Sequence, residues 1–178
     1  MALADLARVS VLAFSDRILG ELPPVRDKMR ILKVIRFLQM LRAGEDRTDL
    51  AEVARGFVRR YQRHGLAVIL SDFYDPAGFS TGLDILRRRG YAPRLVQIYE
   101  PRDAEPDLLG DAELFDVETE HFWQIRVTER NLKQYRKLFG AFCRAVRTYC
   151  AKYSLGCAQI PNDLPREELL LKAIGAKK

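Results

Sequence analysis

A chain of 178 residues, 48% apolar, with 30 Lys and Arg against 24 Asp and Glu and a formal charge of +6, can bury roughly two thirds of its unfolded surface in one domain. No apolar run approaches the ~20 residues of a membrane helix, and the first residues lack the pattern of a secretory signal, so a single cytoplasmic domain over 1–178 is expected. Three cysteines, Cys143, Cys150 and Cys157, have no Cys-x-x-Cys spacing and read as buried thiols in a reducing compartment; the basic excess is scattered, with Arg59-Arg60 and Arg87-Arg88-Arg89 at expected helix ends, which disfavours a nucleic-acid partner.

Met1 to Ala7 reads as the last turns of a helix, with Leu3 and Leu6 on one face. Arg8 to Phe14 is predicted as a strand, Ser15-Asp16-Arg17 as a turn, and Ile18 to Leu22 as the returning strand, ended by Pro23-Pro24. This hairpin is expected as an antiparallel edge on an otherwise parallel sheet. From Asp27 to Arg42, Ile31, Ile35, Leu38 and Leu41 recur at helical spacing, and Ala43-Gly44 stops the helix. After the polar loop Glu45 to Thr48, the residues Asp49 to Glu52 have capping-box spacing for a helix to about His64.

Leu66 to Leu70 is a run of five apolar residues between Gly65 and the Asp75-Pro76 turn, the pattern of a strand buried on both faces in the middle of a parallel sheet. Phe79, Leu83 and Leu86 mark a helix ended by Gly90, and Arg94 to Tyr99 the next strand. Glu100 to Gly110 is acidic and aperiodic, a surface loop. Glu113 to Val117 and Phe122 to Val127 make a second hairpin around Glu118-Thr119-Glu120. Thr128 is the expected N-cap of the longest helix, with Leu132, Tyr135, Phe139, Phe142, Val146, Tyr149 and Tyr153 as its core stripe. Gly156 ends it, Cys157 to Ile160 is a short strand, and Pro165 opens a last helix containing Leu169, Leu170 and Ile174. The alternation predicts an α/β fold with a doubly wound, mostly parallel sheet. Such sheets bind ligands beyond the carboxyl ends of their strands, where Ser71, Asp72 and Asp75 fall.

Enzymatic motifs are few. The chain has no Gly-rich phosphate loop, Gly-x-Ser-x-Gly elbow or His-Glu-x-x-His, and its two histidines, His64 and His121, have no partner at ligand spacing. His64 is expected at a helix C-terminus and His121 at a surface strand end. Thr48, Ser71 and Asp72 offer the hard oxygens that Mg²⁺ prefers. Spacing alone favours plainer roles: capping at Thr48 and Asp49, a turn at Asp75, and strand-end hydrogen bonding at Asp72.

Arg8 to Asp16, then Arg47-Thr48-Asp49-Leu50, then Ile69-Leu70-Ser71-Asp72-Phe73, resemble successive blocks of a von Willebrand factor A-like domain. Glu100 to Pro106 together with Asp116-Val117-Glu118-Thr119 is similar to the uncharacterised bacterial subgroup associated with MoxR-type AAA+ ATPases. The resemblance implies a metal-ion-dependent adhesion site, in which Thr48 and Asp72 match two of three ligand elements. The remaining element, Asp-x-Ser-x-Ser on an earlier strand, occurs nowhere in these 178 residues, so an N-terminally incomplete copy with weak or absent Mg²⁺ binding is expected. The function implied is a non-enzymatic protein-interaction module that works with a MoxR-type ATPase in assembling or activating a protein complex. Phe73, Tyr74 and Asp75 are candidate partner contacts, although an aromatic pair at a strand end equally fits packing. The rival reading is a Mg²⁺-dependent hydrolase or nuclease using Asp46, Asp72 and Asp75.

Overall fold

The computed structural model describes residues 8–25, 31–42, 47–116 and 121–175. The chain forms two compact units, Met1–Gln62 with Asp75–Ile85, and Arg63–Tyr74 with Leu86–Lys178. The helical turns expected at Met1 to Ala7, the Ala43-Gly44 stop and the turn at Glu118 to Glu120 lie outside the described residues.

In the first unit, β1 (Val9–Phe14) and β2 (Ile18–Val25) pair antiparallel across the turn at Ser15 to Arg17. β2 does not stop before the prolines. Val9 pairs with Val25 and Val11 with Leu22, so Pro23 and Pro24 occupy a bulge, where a missing N–H costs the ladder little. Among the described residues the hairpin pairs only with itself, as a two-stranded sheet, and the expected pairing to the parallel sheet is not among its hydrogen bonds.

Of the stripe predicted for helix α1 (Ile31–Met40) only Leu41, just past its end, is turned inward, and the helix otherwise presents a different face. Val34, Phe37 and Leu41 are half-buried, with Phe37 and Leu41 against Gly20, whereas Ile31, Ile35 and Leu38 are exposed. Both stripes are apolar, so periodicity alone gave no means of choosing between them. Helix α2 (Leu50–Arg60) buries Leu50, Ala51, Val53, Ala54 and Val58. Asp49 caps it by accepting the Glu52 N–H at 2.9 Å. It ends at Arg60, short of His64: the Tyr61 N–H closes the last turn on Phe57 O, and Arg60 and Tyr61 both engage the Glu21 carboxylate.

The second unit holds a three-stranded parallel sheet in the order β3 (Leu66–Ser71), β4 (Ala92–Tyr99), β7 (Gly156–Pro161). The middle strand is β4, with Leu95, Val96 and Gln97 buried, and not the Leu66 to Leu70 run. In β3 only Ile69 is buried, and Leu66, Val68 and Leu70 are exposed. Among the described residues only β4 pairs with it; an unbroken apolar run records hydrophobicity but not the number of neighbours a strand will have.

One sheet face carries α6 (Arg166–Gly175): Val96, Ala158 and Ile160 pack with Leu164, Leu169 and Ala173. The other faces α5 (Glu129–Lys152), where Tyr99 meets Phe139 edge-on at 5.5 Å and Gln159 bonds Cys143 O. Helices on both faces are what a parallel sheet requires. Thr128 caps α5 as predicted, reciprocally with Asn131. The buried line of α5 is Leu132, Cys143, Val146 and Cys150, so thiols take the centre of a stripe assigned to aromatics; Tyr135 is exposed and the other rings half-buried.

Helix α3 (Phe79–Arg88) ends in a turn with Gly90 at φ 81°. His64 Nδ1 lies 2.7 Å from Arg89 O, so the histidine meets the end of α3 and not that of α2. A Cβ on Gly90 would stand 2.6 Å from that ring nitrogen. The expected loop after β4 contains a helical turn, α4 (Pro101–Ala104), tied to α5 by a 3.1 Å ion pair between Glu105 and Arg136. β5 (Gly110–Asp116) and β6 (His121–Val127) pair antiparallel, with Phe115 and Phe122 rings 4.5 Å apart. No helix among the described residues is long and apolar enough to cross a membrane.

Candidate functional site

At the carboxyl end of β3 the chain folds back on its own side chains. Ser71 Oγ accepts the Phe73 N–H, and Asp72 Oδ1 accepts the Tyr74 N–H, each at 3.0 Å. Short polar side chains commonly hold such turns. Here the turn forces Phe73 to φ 64°, a left-handed conformation that costs an L residue about 1–2 kcal/mol. The Phe73 ring is 2% exposed, and full burial of a phenyl side chain contributes about 1.5–3 kcal/mol. Burial therefore outweighs strain, and Phe73 packs inward while Asp72 and Tyr74 remain exposed on the rim.

Beneath the turn lies a buried polar relay. Gln97, opposite Ser71 in the β3–β4 register, is fully buried. Its Nε2 donates to Asp72 O at 3.0 Å; its Oε1 accepts from Gln159 Nε2 at 2.7 Å, and that nitrogen also donates to Cys143 O at 2.8 Å. Side-chain amides thus connect the rim to α5 through two strands. A buried amide without such partners would cost about 1–3 kcal/mol.

Tyr74 stacks on Phe142 with ring centroids 5.0 Å apart and hydrogen-bonds Tyr135. Desolvation first, then the nearby Tyr135 and Asp103 charges, push its phenol well above the usual range. Desolvation followed by Asp103 also raises Tyr135, against the opposing effect of the Tyr74 hydrogen bond. Asp103 Oδ2 accepts the Glu100 N–H at 2.9 Å. The rim of this unit presents a carboxylate and neutral phenols.

Asp75 and Thr48 belong to the first unit. Asp75 Oδ2 accepts the Leu50 N–H and Oδ1 the Ala77 N–H, both at 2.8 Å, so its carboxylate supports the start of α2 and the turn before α3. Thr48 is half-buried one residue before the Asp49 cap. Of the hydrolase set, Asp46 lies outside the described residues, and Asp75 is engaged by backbone amides. Asp72 and Ser71 have the hard-oxygen chemistry suited to Mg²⁺, but one Asp72 oxygen and the Ser71 hydroxyl already hold the turn, which leaves few donors for a cation that demands near-octahedral coordination. Among the described residues no group of three or more His, Cys, Asp or Glu could hold a metal ion.

Gln97 and Gln159 are site residues that sequence reading missed. Their signal was a polar residue inside an apolar strand, Leu95-Val96-Gln97-Ile98 and Ala158-Gln159-Ile160.

The parallel sheet, its two helical faces and the antiparallel hairpins agree with a von Willebrand A-like α/β fold. A family model described as "Protein of unknown function DUF58" matches residues 2–148, and the chain belongs to that family. It is 36% identical over 73 residues to "Uncharacterized protein MAV169" of Mycobacterium avium, a match covering 41% of this chain and 43% of that relative, less than half the relative's length. The crystal structure of "conserved hypothetical protein BatB" from Bacteroides thetaiotaomicron is similar in fold, with TM-score 0.50 and 12% identity over 97% of this chain and 80% of that one.

Proposed function

We propose that this chain is a cytoplasmic, non-enzymatic protein-interaction module, working with a MoxR-type AAA+ ATPase in the assembly or activation of a protein complex. The supporting observation is the rim after β3: Ser71 and Asp72 fix a left-handed turn at Phe73 that holds the Asp72 and Tyr74 side chains outward. A turn held on a buried polar relay is preorganised, so little ordering entropy opposes docking. In this reading Asp72 is the residue of this unit that holds Mg²⁺, weakly, and the partner offers an acidic side chain to the metal. Tyr74 supplies contact area, Phe73 shapes the loop from below, and Asp75 acts through the start of α2.

The test is a binding titration of the purified chain against a MoxR-type ATPase from the same organism, with and without Mg²⁺. Saturable binding weakened at least tenfold by Asp72→Ala and by Tyr74→Ala supports the proposal. Absence of binding, or binding indifferent to both substitutions, refutes it. In parallel, calorimetric titration of Mg²⁺ with Asp72→Asn as control should give weak heats that the variant abolishes; the amide keeps an acceptor for the Tyr74 N–H but lacks the charge.

A further inference from the structure

Two exposed apolar surfaces of this chain carry opposite charge. The first lies on α1. Ile31, Ile35 and Leu38, at spacings of four and three, form one exposed stripe with Leu32 beside it, turned away from the half-buried side of Val34 and Phe37. The helix also holds Lys33 and Arg36, both exposed, and no acidic residue. Residues 26–42 contain six Lys and Arg against one Asp, so five of the chain's six net positive charges fall in this stretch. The basic excess, scattered when read as runs of Lys and Arg, is concentrated when read as net charge.

The second surface is the β5–β6 hairpin. Among the described residues its strands hydrogen-bond only to each other. Leu114 opposes Trp123, and Ala112 opposes Ile125. Residues directly opposite share a face, so Leu114, Trp123 and Ile125 stand together. All three are exposed, Trp123 by 51%, and Phe115 and Phe122 on the reverse face are exposed as well. A two-stranded hairpin with no packed face is marginal in water, and a contiguous exposed apolar patch marks an interaction surface. Residues 110–127 contain five Asp and Glu against one Arg, so this surface is as strongly acidic as α1 is basic.

From this complementarity we propose that the chain self-associates, the Leu114, Trp123 and Ile125 face of the hairpin in one molecule docking on the Ile31, Ile35 and Leu38 stripe of α1 in a second copy. An anionic membrane would suit α1 and repel the acidic hairpin. A basic partner would suit the hairpin and repel α1. A second copy fits both surfaces at once. Opposite charge speeds the encounter and selects which surfaces meet, while the aromatic and aliphatic side chains supply the buried centre of the contact. Asp111 and Glu113 lie on the reverse face of the hairpin, yet a two-stranded ribbon is thin, and their charges act across it over the Debye length of about 8–10 Å.

Trp123 is the chain's only tryptophan, so its fluorescence reports the hairpin alone. The test is a dilution series of the wild-type chain, read by tryptophan emission and by sedimentation velocity. Between about 1 and about 100 µM the emission should shift to the blue as the sedimenting species grows from one chain to two or more, and about 1 M NaCl should weaken both changes. Lys33→Glu with Arg36→Glu should weaken association at least tenfold, and Asp111→Lys with Glu113→Lys at least threefold. An equimolar mixture of the two variants brings the wild-type α1 of one to the wild-type hairpin of the other, and should associate more tightly than either variant alone. A wild-type chain that stays monomeric overturns the proposal, and its co-sedimentation with phosphatidylglycerol vesicles would then assign α1 to a lipid surface. Association without a shift in Trp123 emission overturns it too, as does association indifferent to the charge reversals. The wild-type series decides the matter without any variant, so a variant that folds poorly leaves the result intact.

Discussion

Gln97 donates its side-chain amide to the backbone carbonyl of Asp72 at 3.0 Å, which anchors the last turn of the rim to the fully buried middle of β4. Gln97→Leu keeps the volume but leaves Asp72 O and one proton of Gln159 Nε2 without this partner. The expected loss is about 2 kcal/mol, the cost of leaving buried polar groups unsatisfied. Urea unfolding of the variant should show a lower midpoint at an unchanged slope. Adding Gln159→Leu should cost less than the sum of the single changes, because the two amides belong to one network. Strict additivity would show that the relay is not energetically coupled.

Two glycines in the first unit predict opposite outcomes for the same substitution. A Cβ on Gly82, in α3, would stand 2.6 Å from both Leu50 Cγ and Leu50 O, at the start of α2. Backbone cannot yield as a flexible side chain would, so Gly82→Ala should destabilise by about 1–3 kcal/mol. On Gly56, inside α2, a Cβ would meet only Ile18 Cδ1 at 3.9 Å. Gly56→Ala should therefore stabilise by about 0.5–1 kcal/mol through helix propensity. Thermal melts of the two variants should shift in opposite directions, and a shared direction would contradict the geometry.

The fold was legible where local chemistry decides it. The Thr128 cap, the turn at Ser15 to Arg17 and the Gly90 stop all depend on residues near in sequence and form as read, whereas of the box expected at Asp49 to Glu52 the Asp49 side chain caps the Glu52 N–H while the Asp49 N–H goes to Ser15 O. What depends on distant partners was not legible. The apolar run of β3 carried no sign that Leu66, Val68 and Leu70 would be exposed, with β4 as the strand's single neighbour among the described residues. The two apolar stripes of α1 were equivalent until Gly20 met Phe37 and Leu41. At the rim, the sequence placed Ser71 and Asp72 at a strand end. That they would hold Phe73 in a left-handed turn over a buried pair of glutamines required the β3–β4–β7 register.

Ser154 is exposed and holds φ 53° after α5, a position where glycine loses nothing and a side chain is strained. Ser154→Gly should raise stability by about 0.5–1 kcal/mol, read as a small upward shift in melting temperature. A downward shift would mean that the hydroxyl contributes more than the backbone strain costs.

The rim phenol sets a pH dependence whose sign follows from its shift. Tyr74 holds its proton in the folded chain well above the usual range, because burial and nearby negative charge disfavour the phenolate. In the unfolded chain the phenol titrates near about pH 10. Its contribution is fully present below that value. As the pH rises further, the unfolded state loses a proton that the folded state keeps, so stability falls. Tyr91 and Tyr135, also raised by desolvation, add to the fall with the same sign. Tyr74→Phe keeps the stack on Phe142 and removes the titration. The urea midpoint should drop less between about pH 9 and about pH 11 in this variant than in the wild type. An equal drop in both would show that the Tyr74 hydroxyl ionises as readily folded as unfolded, and that the rim is wetter than its stacking and the Tyr135 hydrogen bond imply.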